Sequence, residues 1–245
     1  MRLPSLLGVL AFALAAPLSL STPSYLSQGS QNQLLSPTYG SGNGHSCPNL
    51  TIIYAKGTDL PGSPPSGNVG RAGGVGPMFF QAVSDFLHSS SNGTVATMSM
   101  AVQGVEYTAE IGDSLFTDGD AAASQLMRNL AAQAMESCPN THITLSGYSL
   151  GGHILTHALL QQMTHEEVSR IGSVVTFGSS AELGKKKAMR ERVGGKKVLE
   201  VCHGGDGFCH GDMLGGLLRM EEHLNYGNER DVERAAGFVK GRMGL

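Results

Sequence analysis

Ser149 stands in Gly147-Tyr148-Ser149-Leu150-Gly151, between a short apolar run at 142–146 and a helix-spaced run at 152–163. A serine set between glycines at a strand-to-helix turn is pushed clear of the sheet, where its hydroxyl can attack an acyl carbon. With 34 glycines in 245 residues, the pentapeptide says little alone, and its surroundings carry the reading. A serine hydroxyl is a poor nucleophile at neutral pH. It needs a base to take its proton, and the base needs a carboxylate to orient it. Where such a turn carries the nucleophile, the partners follow in the order acid, then histidine. Asp206 and His223 satisfy that order.

Asp206 lies inside Cys202-His203-Gly204-Gly205-Asp206-Gly207-Phe208-Cys209, a glycine-loose loop that a disulfide would hold still. His223 reads as part of a separate loop before the last helix. His210 competes as the base, but it is too near Asp206 in sequence for both to leave the loop and converge on Ser149. His153 and His157 fall on a helix as packing or solvent-facing residues, and His142 opens a strand with no evident role. The negative oxygen of an acyl intermediate needs two donors. The Leu150 amide follows the nucleophile, and Thr58 in Lys56-Gly57-Thr58-Asp59 offers an amide and a hydroxyl.

The elements that must position these groups alternate. Strands are expected at 50–55, 95–102, 142–146, 171–177 and 197–201, and helices at 77–88, 121–137, 152–163 and 229–243. The stretch 56–76 is too rich in glycine and proline for regular structure. Alternation implies a mostly parallel sheet with helices on both faces. Active groups collect beyond the carboxyl ends of such strands. Thr58, Ser149 and the Cys202–Cys209 loop each follow a strand, so all three fall on one edge.

Residues 1–21 read as a secretory signal, with Arg2, an apolar run at 6–16 and a cleavage point between about 16 and 21. That run is shorter than the roughly 20 residues that span a bilayer. Residues 22–46 form a polar arm or propeptide, which leaves one domain at 47–245. A net charge of −3 argues against a nucleic-acid binder, and Lys185, Lys186, Lys187, Lys196 and Lys197 read as solvated surface. Four cysteines in a secreted chain suggest two disulfides in one of three connectivities. Cys202 and Cys209 are close enough to clasp a loop, and Cys47–Cys138 would then tie the domain's start to the segment before the serine strand. Asn49 and Asn92 head glycosylation sequons. Cys202, His203, Asp206, Cys209, His210 and Asp212 also form a dense ligand set, reminiscent of zinc, but thiols in an oxidising compartment should pair instead. No metal is expected.

Taken with Gly67-Asn68-Val69-Gly70, Gly76-Pro77, Val102-Gln103-Gly104-Val105, Cys138-Pro139 and His223-x-x-Tyr226-Gly227, these pieces resemble the cutinase family of serine esterases from about Cys47 to the end. The resemblance implies a three-layer α/β-hydrolase sandwich with about five strands and no large lid. It also implies the pairs Cys47–Cys138 and Cys202–Cys209, a Ser149–Asp206–His223 triad, and an oxyanion site from Thr58 and Leu150. Such enzymes are secreted, need no cofactor, and cleave exposed esters such as cutin. Relatives deacetylate xylan, which is the alternative substrate.

The chain departs from the family pattern at several points. Leu150 replaces the usual Gln, Lys56 the usual Arg, and Thr58 a common Ser. The segment between Cys209 and His223 is longer than usual and carries Arg219, Glu221 and Glu222. The expected partner is an ester substrate, a plant polyester or an acylated polysaccharide, met by a monomer with no transmembrane segment. Leu115, Phe116, Leu214, Leu217 and Leu218 are candidates to hold an acyl chain. A non-catalytic secreted binding protein on the same fold is the rival of another class.

Overall fold

The computed structural model describes residues 47–59, 67–88, 98–109 and 121–245. The leader, the arm, Asn92, Leu115 and Phe116 lie outside the described residues. In chain order the elements are β1 (Leu50–Ala55), α1 (Val75–His88), β2 (Met100–Gly104), α2 (Ala121–Ser137), β3 (His142–Tyr148) and α3 (Leu150–His157). Then come α4 (His165–Arg170), β4 (Ile171–Phe177), α5 (Leu183–Val193), β5 (Val198–Val201), α6 (Met213–Leu218), α7 (Met220–Leu224) and α8 (Glu229–Arg242).

The five strands pair in parallel in the order β2-β1-β3-β4-β5. Every residue of β1 is buried, as a central parallel strand covered on both faces requires. Its side chains alternate between two cores. Ile53 and Ala55 join Leu130, Leu145 and Ile154 on the face covered by α2 and α3. Leu50, Ile52 and Tyr54 join Phe79, Phe177 and Val232 on the face covered by α1 and α8. Both layers of helix are therefore set by the period of two in a strand.

The structure differs from the sequence reading at element ends. The β2 strand covers Met100–Gly104 with Met98 and Ser99 outside it, and residues 95–97 of the expected strand lie outside the described residues. The helix expected at 152–163 starts at Leu150 and widens into a π-helical turn at Ala158–Gln162. Helices α4 to α7 were not anticipated, being only five to eleven residues in length. His223 lies in α7 and not in a loop. Lys186 is 7% exposed, so the basic run is not wholly solvated. Its neighbours along α5, Met189 and Val193, are buried on the same face.

A disulfide joins Cys47 to Cys138 across 91 residues. Closing a loop of that length stabilises by about 4–5 kcal/mol in the chain-entropy model. At the same end of the sheet, the His142 imidazole fills the space beside Gly172, where a Cβ would lie 2.3 Å from the ring. Burial, together with the charges of Arg242 and Lys197, pushes His142 down to about 4. The folded chain therefore binds fewer protons here than the unfolded chain between about pH 6.5 and 4, and stability is lost as pH falls through that window. His142→Gln should flatten this slope. Urea midpoints at acid and neutral pH check it, and an unchanged difference between the two would contradict the assignment.

Candidate active site

The strand β3 delivers Ser149 to the turn before α3. Ser149 has φ 53° and ψ −118°, and it is the non-glycine residue with positive φ among the described residues. Such a conformation is strained, and it persists only where neighbours over-determine it. Here the Ser149 N–H donates to the Phe177 carbonyl at 2.9 Å, and the Ser149 carbonyl accepts from Gly152 at 2.9 Å. Close packing completes the turn. A Cβ on Gly151 would lie 2.0 Å from the Ala55 carbonyl oxygen, so only glycine lets α3 start against the end of β1.

Three side chains meet at this edge. His223 Nε2 lies 2.8 Å from Ser149 Oγ, and His223 Nδ1 lies 2.8 Å from Asp206 Oδ2. Asp206 is fully buried and His223 is 6% exposed. The Asp206 carboxylate also accepts from Tyr226 Oη at 2.8 Å and from the Cys209 N–H at 3.3 Å. Burial acts to raise the Asp206 carboxyl, but the bonds from His223 and Tyr226, the His223 charge and the Cys209 amide together hold it below the usual carboxylate range. The group is thus kept ionised.

Two aromatic rings flank the His223 ring, and its backbone carbonyl is held as well. Tyr148 stacks on it at 5.5 Å and 28°, Phe208 lies at 4.7 Å, and Tyr148 Oη donates to the His223 carbonyl at 2.8 Å. Burial, then the charge of Asp206, raises the Tyr148 phenol far above its ordinary range, so it remains a donor. A disulfide joins Cys202 and Cys209 around Asp206. Lys186 Nζ donates to the Cys209 carbonyl at 2.7 Å, and burial lowers its ammonium against the opposing pull of Glu200 and Asp206.

The Leu150 amide is at the first position of α3, where an N–H has no intrahelical acceptor. The Leu150 side chain is 2% exposed and belongs to the core, so it contributes no polar group to the Thr58 loop. That loop is shaped by an ion pair between Lys56 and Asp59 at 2.7 Å and by a hydrogen bond from Tyr107 Oη to the Lys56 carbonyl. Thr58 lines a cleft of about 190 Å³ with Lys56, Gly57, Arg71, Tyr148 and Leu224.

Other candidates lie elsewhere. His210 is exposed, with Nε2 3.0 Å from the His203 carbonyl. His153 and His157 are on α3, within the helix behind Ser149. Leu214, Leu217 and Leu218 are 67%, 59% and 74% exposed on α6. The Asn49 side chain accepts from the Ser99 N–H at 3.0 Å. Among the described residues no three His, Cys, Asp or Glu side chains gather as metal ligands, and no helix is long and apolar enough to cross a membrane.

The cutinase family model matches residues 46–243. The chain belongs to the cutinase family. It is 34% identical over 212 residues to a cutinase of Botryotinia fuckeliana, covering 86% of this chain and 91% of the relative. It is 34% identical over 195 residues to a cutinase of Monilinia fructicola, covering 79% and 83%. A solved structure of a Trichoderma reesei cutinase in complex with a phosphonate inhibitor aligns with a TM-score of 0.62 at 30% identity, covering 80% of this chain and 77% of that one. With this membership and this sheet, the chain is a carboxylic ester hydrolase of the α/β-hydrolase fold.

Sequence reasoning missed Tyr148, Lys186 and Tyr226 at the site. The available signal for Tyr226 was its place three residues after His223. Gly178, at φ 52°, makes room for it: a Cβ there would lie 2.4 Å from the Tyr226 ring and 3.0 Å from Asp206 Oδ2. Gly178→Ala should therefore destabilise by about 1–3 kcal/mol, from backbone strain and overpacking together. Thermal unfolding checks this, and an unchanged Tm would contradict it.

Proposed function

We propose that this cutinase-family chain is a secreted monomeric serine esterase that hydrolyses cutin-type polyester and short- to medium-chain esters through an acyl-enzyme. The observation that carries the reading is the unbroken hydrogen-bonded path Ser149 Oγ, His223, Asp206, with 2.8 Å at each step. In this reading Ser149 attacks the ester carbonyl while His223 Nε2 takes its proton. Asp206, held ionised, stabilises the imidazolium that results. The tetrahedral oxygen is received by the amides of Leu150 and Thr58. The alcohol departs with the proton from His223. Water, deprotonated by the same imidazole, then attacks the acyl-serine, and the acid is released with Ser149 restored. The protein's own groups supply every proton transfer in this sequence.

The leucines of α6 support the choice of an apolar acyl or polyester substrate over an acetylated polysaccharide. The chain exposes Leu214, Leu217 and Leu218, with Leu183 at 57% and Met213 at 46%. The α6 helix lies in the chain between the Asp206 loop and His223, and its Gly216 packs against Phe208, whose ring contacts His223. Large exposed apolar groups in one place mark a binding surface more often than a chance excess.

Ser149→Ala should lower turnover of a p-nitrophenyl ester by at least about a thousandfold while the fold is retained. Circular dichroism and initial rates check this together, and full activity in the variant would refute the role of Ser149. Replacing Leu217 and Leu218 together by Ser should reduce kcat/KM for an octanoyl ester about five- to tenfold more than for an acetyl ester. Equal losses on both esters would remove these leucines from the acyl site.

A further inference from the structure

We infer that Tyr226 is a positioning residue for the acid–base pair, clamped by a second histidine–carboxylate pair, His203–Asp231, which ties the loop carrying Asp206 to the segment carrying His223. This rests on the proposed roles of Ser149, Asp206 and His223.

Tyr226 is fully buried, and its hydroxyl has two partners. It accepts from the His203 backbone N–H at 2.9 Å and lies 2.8 Å from Asp206 Oδ2. The amide can only donate, so the single phenolic hydrogen is directed at the carboxylate. That oxygen is the one facing His223 Nδ1. Burial raises the Tyr226 phenol, and the Asp206 charge reinforces the shift, so the hydroxyl keeps its hydrogen.

The hydroxyl is held in place by the His203 side chain. The imidazole stacks on the Tyr226 ring at 4.1 Å and 22°. Its Nε2 lies 2.6 Å from Asp231 Oδ2, and its Nδ1 lies 3.1 Å from the Glu222 carbonyl. Asp231 is 4% exposed and is held in turn by the Asn228 side-chain amide at 2.6 Å. His203 belongs to the disulfide loop, Glu222 immediately precedes His223, and Asp231 lies in the first turn of α8. One imidazole therefore bridges the two segments whose separation sets the Asp206–His223 hydrogen bond.

The ionisable groups around this network come from several elements. Lys186 of α5 and Tyr148 of β3 act on Asp206, together with His223 and Tyr226. Glu222 and Asp231 face His203, and the exposed His210 meets the His203 carbonyl. When the Tyr226 hydroxyl is removed, Asp206 loses a donor and gives more of its charge to the imidazolium of His223. The acid limb of kcat/KM, which follows the base in the free enzyme, then moves to higher pH.

The test is kinetic, on full-length protein whose active sites are counted by a fluorophosphonate label. Tyr226→Phe keeps the ring and its packing. It should lower kcat about tenfold, with KM within about twofold of wild type, and move the acid limb up by about half a pH unit or more. His203→Leu should lower kcat about fivefold per labelled site, and His203→Gln, which can still donate to Asp231, should recover most of that loss. A purely structural role would change Tm and the labelled fraction but leave kcat per labelled site and the pH profile alone. That result in Tyr226→Phe would overturn the inference. Should Tyr226→Phe yield no labelled protein, wild-type kcat per site in His203→Leu would overturn it instead. Failure of wild-type protein to label, or full activity in Ser149→Ala, would sink the underlying triad and is read separately.

Discussion

A carboxylate with no exposure to water must recover its lost hydration from the protein, or it will be neutral. Asp206 is in that position, and much of the surrounding structure answers its demand. Three donors reach it, from an imidazole, a phenol and a backbone amide. Each donor fixes another part of the molecule. The amide belongs to Cys209, half of the disulfide that closes the loop. The phenol requires the bare Gly178 at the end of β4. The imidazole is the residue that reaches Ser149. Beyond them the Lys186 ammonium holds the carbonyl of Cys209. Removing any one donor would leave a buried charge short of a partner, which costs more than the hydrogen bond contributes in net terms.

The sheet supplies the other half of the geometry. In the β1–β3 register Ala55 sits opposite Gly147. The two strands therefore end side by side, with the Thr58 loop leaving one and the Ser149 turn leaving the other. The bare Gly151 lets the first turn of α3 touch the Ala55 carbonyl. The oxyanion site proposed from Thr58 and Leu150 would in this sense depend on strand register: slipping β1 by one residue would shift the Thr58 loop against the Ser149 turn and send its core side chains to the wrong face.

Local pattern in the sequence made the buried strands and long helices legible. Runs such as Ile52-Ile53-Tyr54 and Val174-Val175 announce strands, and the Ser149 pentapeptide announces the turn between them. Short helices were not legible, because a single turn such as Met220–Leu224 is held by its neighbours and not by propensity. His223 was therefore found by its type and order but placed in the wrong local structure. Lys186 was misread because a lysine within Lys185-Lys186-Lys187 looks solvated. The spacing Lys186, Met189, Val193 reveals a buried face only once the helix is known. The links from Tyr226 to Asp206 and from His203 to Asp231 cross 20 and 28 residues, and no local rule reports contacts at that range.

The segment between Cys209 and His223 packs closely against the loop that carries Asp206. Asp212 caps α6, accepting from the Gly215 N–H at 2.9 Å. A Cβ on Gly207 would lie 2.2 Å from the Gly216 nitrogen, and one on Gly216 would lie 2.6 Å from the Phe208 ring. The helix thus uses its glycines to press against the Asp206 loop at backbone distance. Because the small residues occupy the inward face, Leu214, Leu217 and Leu218 are left facing water. A helix that packed through its leucines would hide them but would stand farther from the loop, and the Phe208 ring that braces His223 would lose its backing. Close packing against the acid loop and an exposed apolar rim are therefore two faces of one sequence pattern, Met-Leu-Gly-Gly-Leu-Leu. On the proposed reading, the substrate's own aliphatic chain covers the rim that this packing leaves bare.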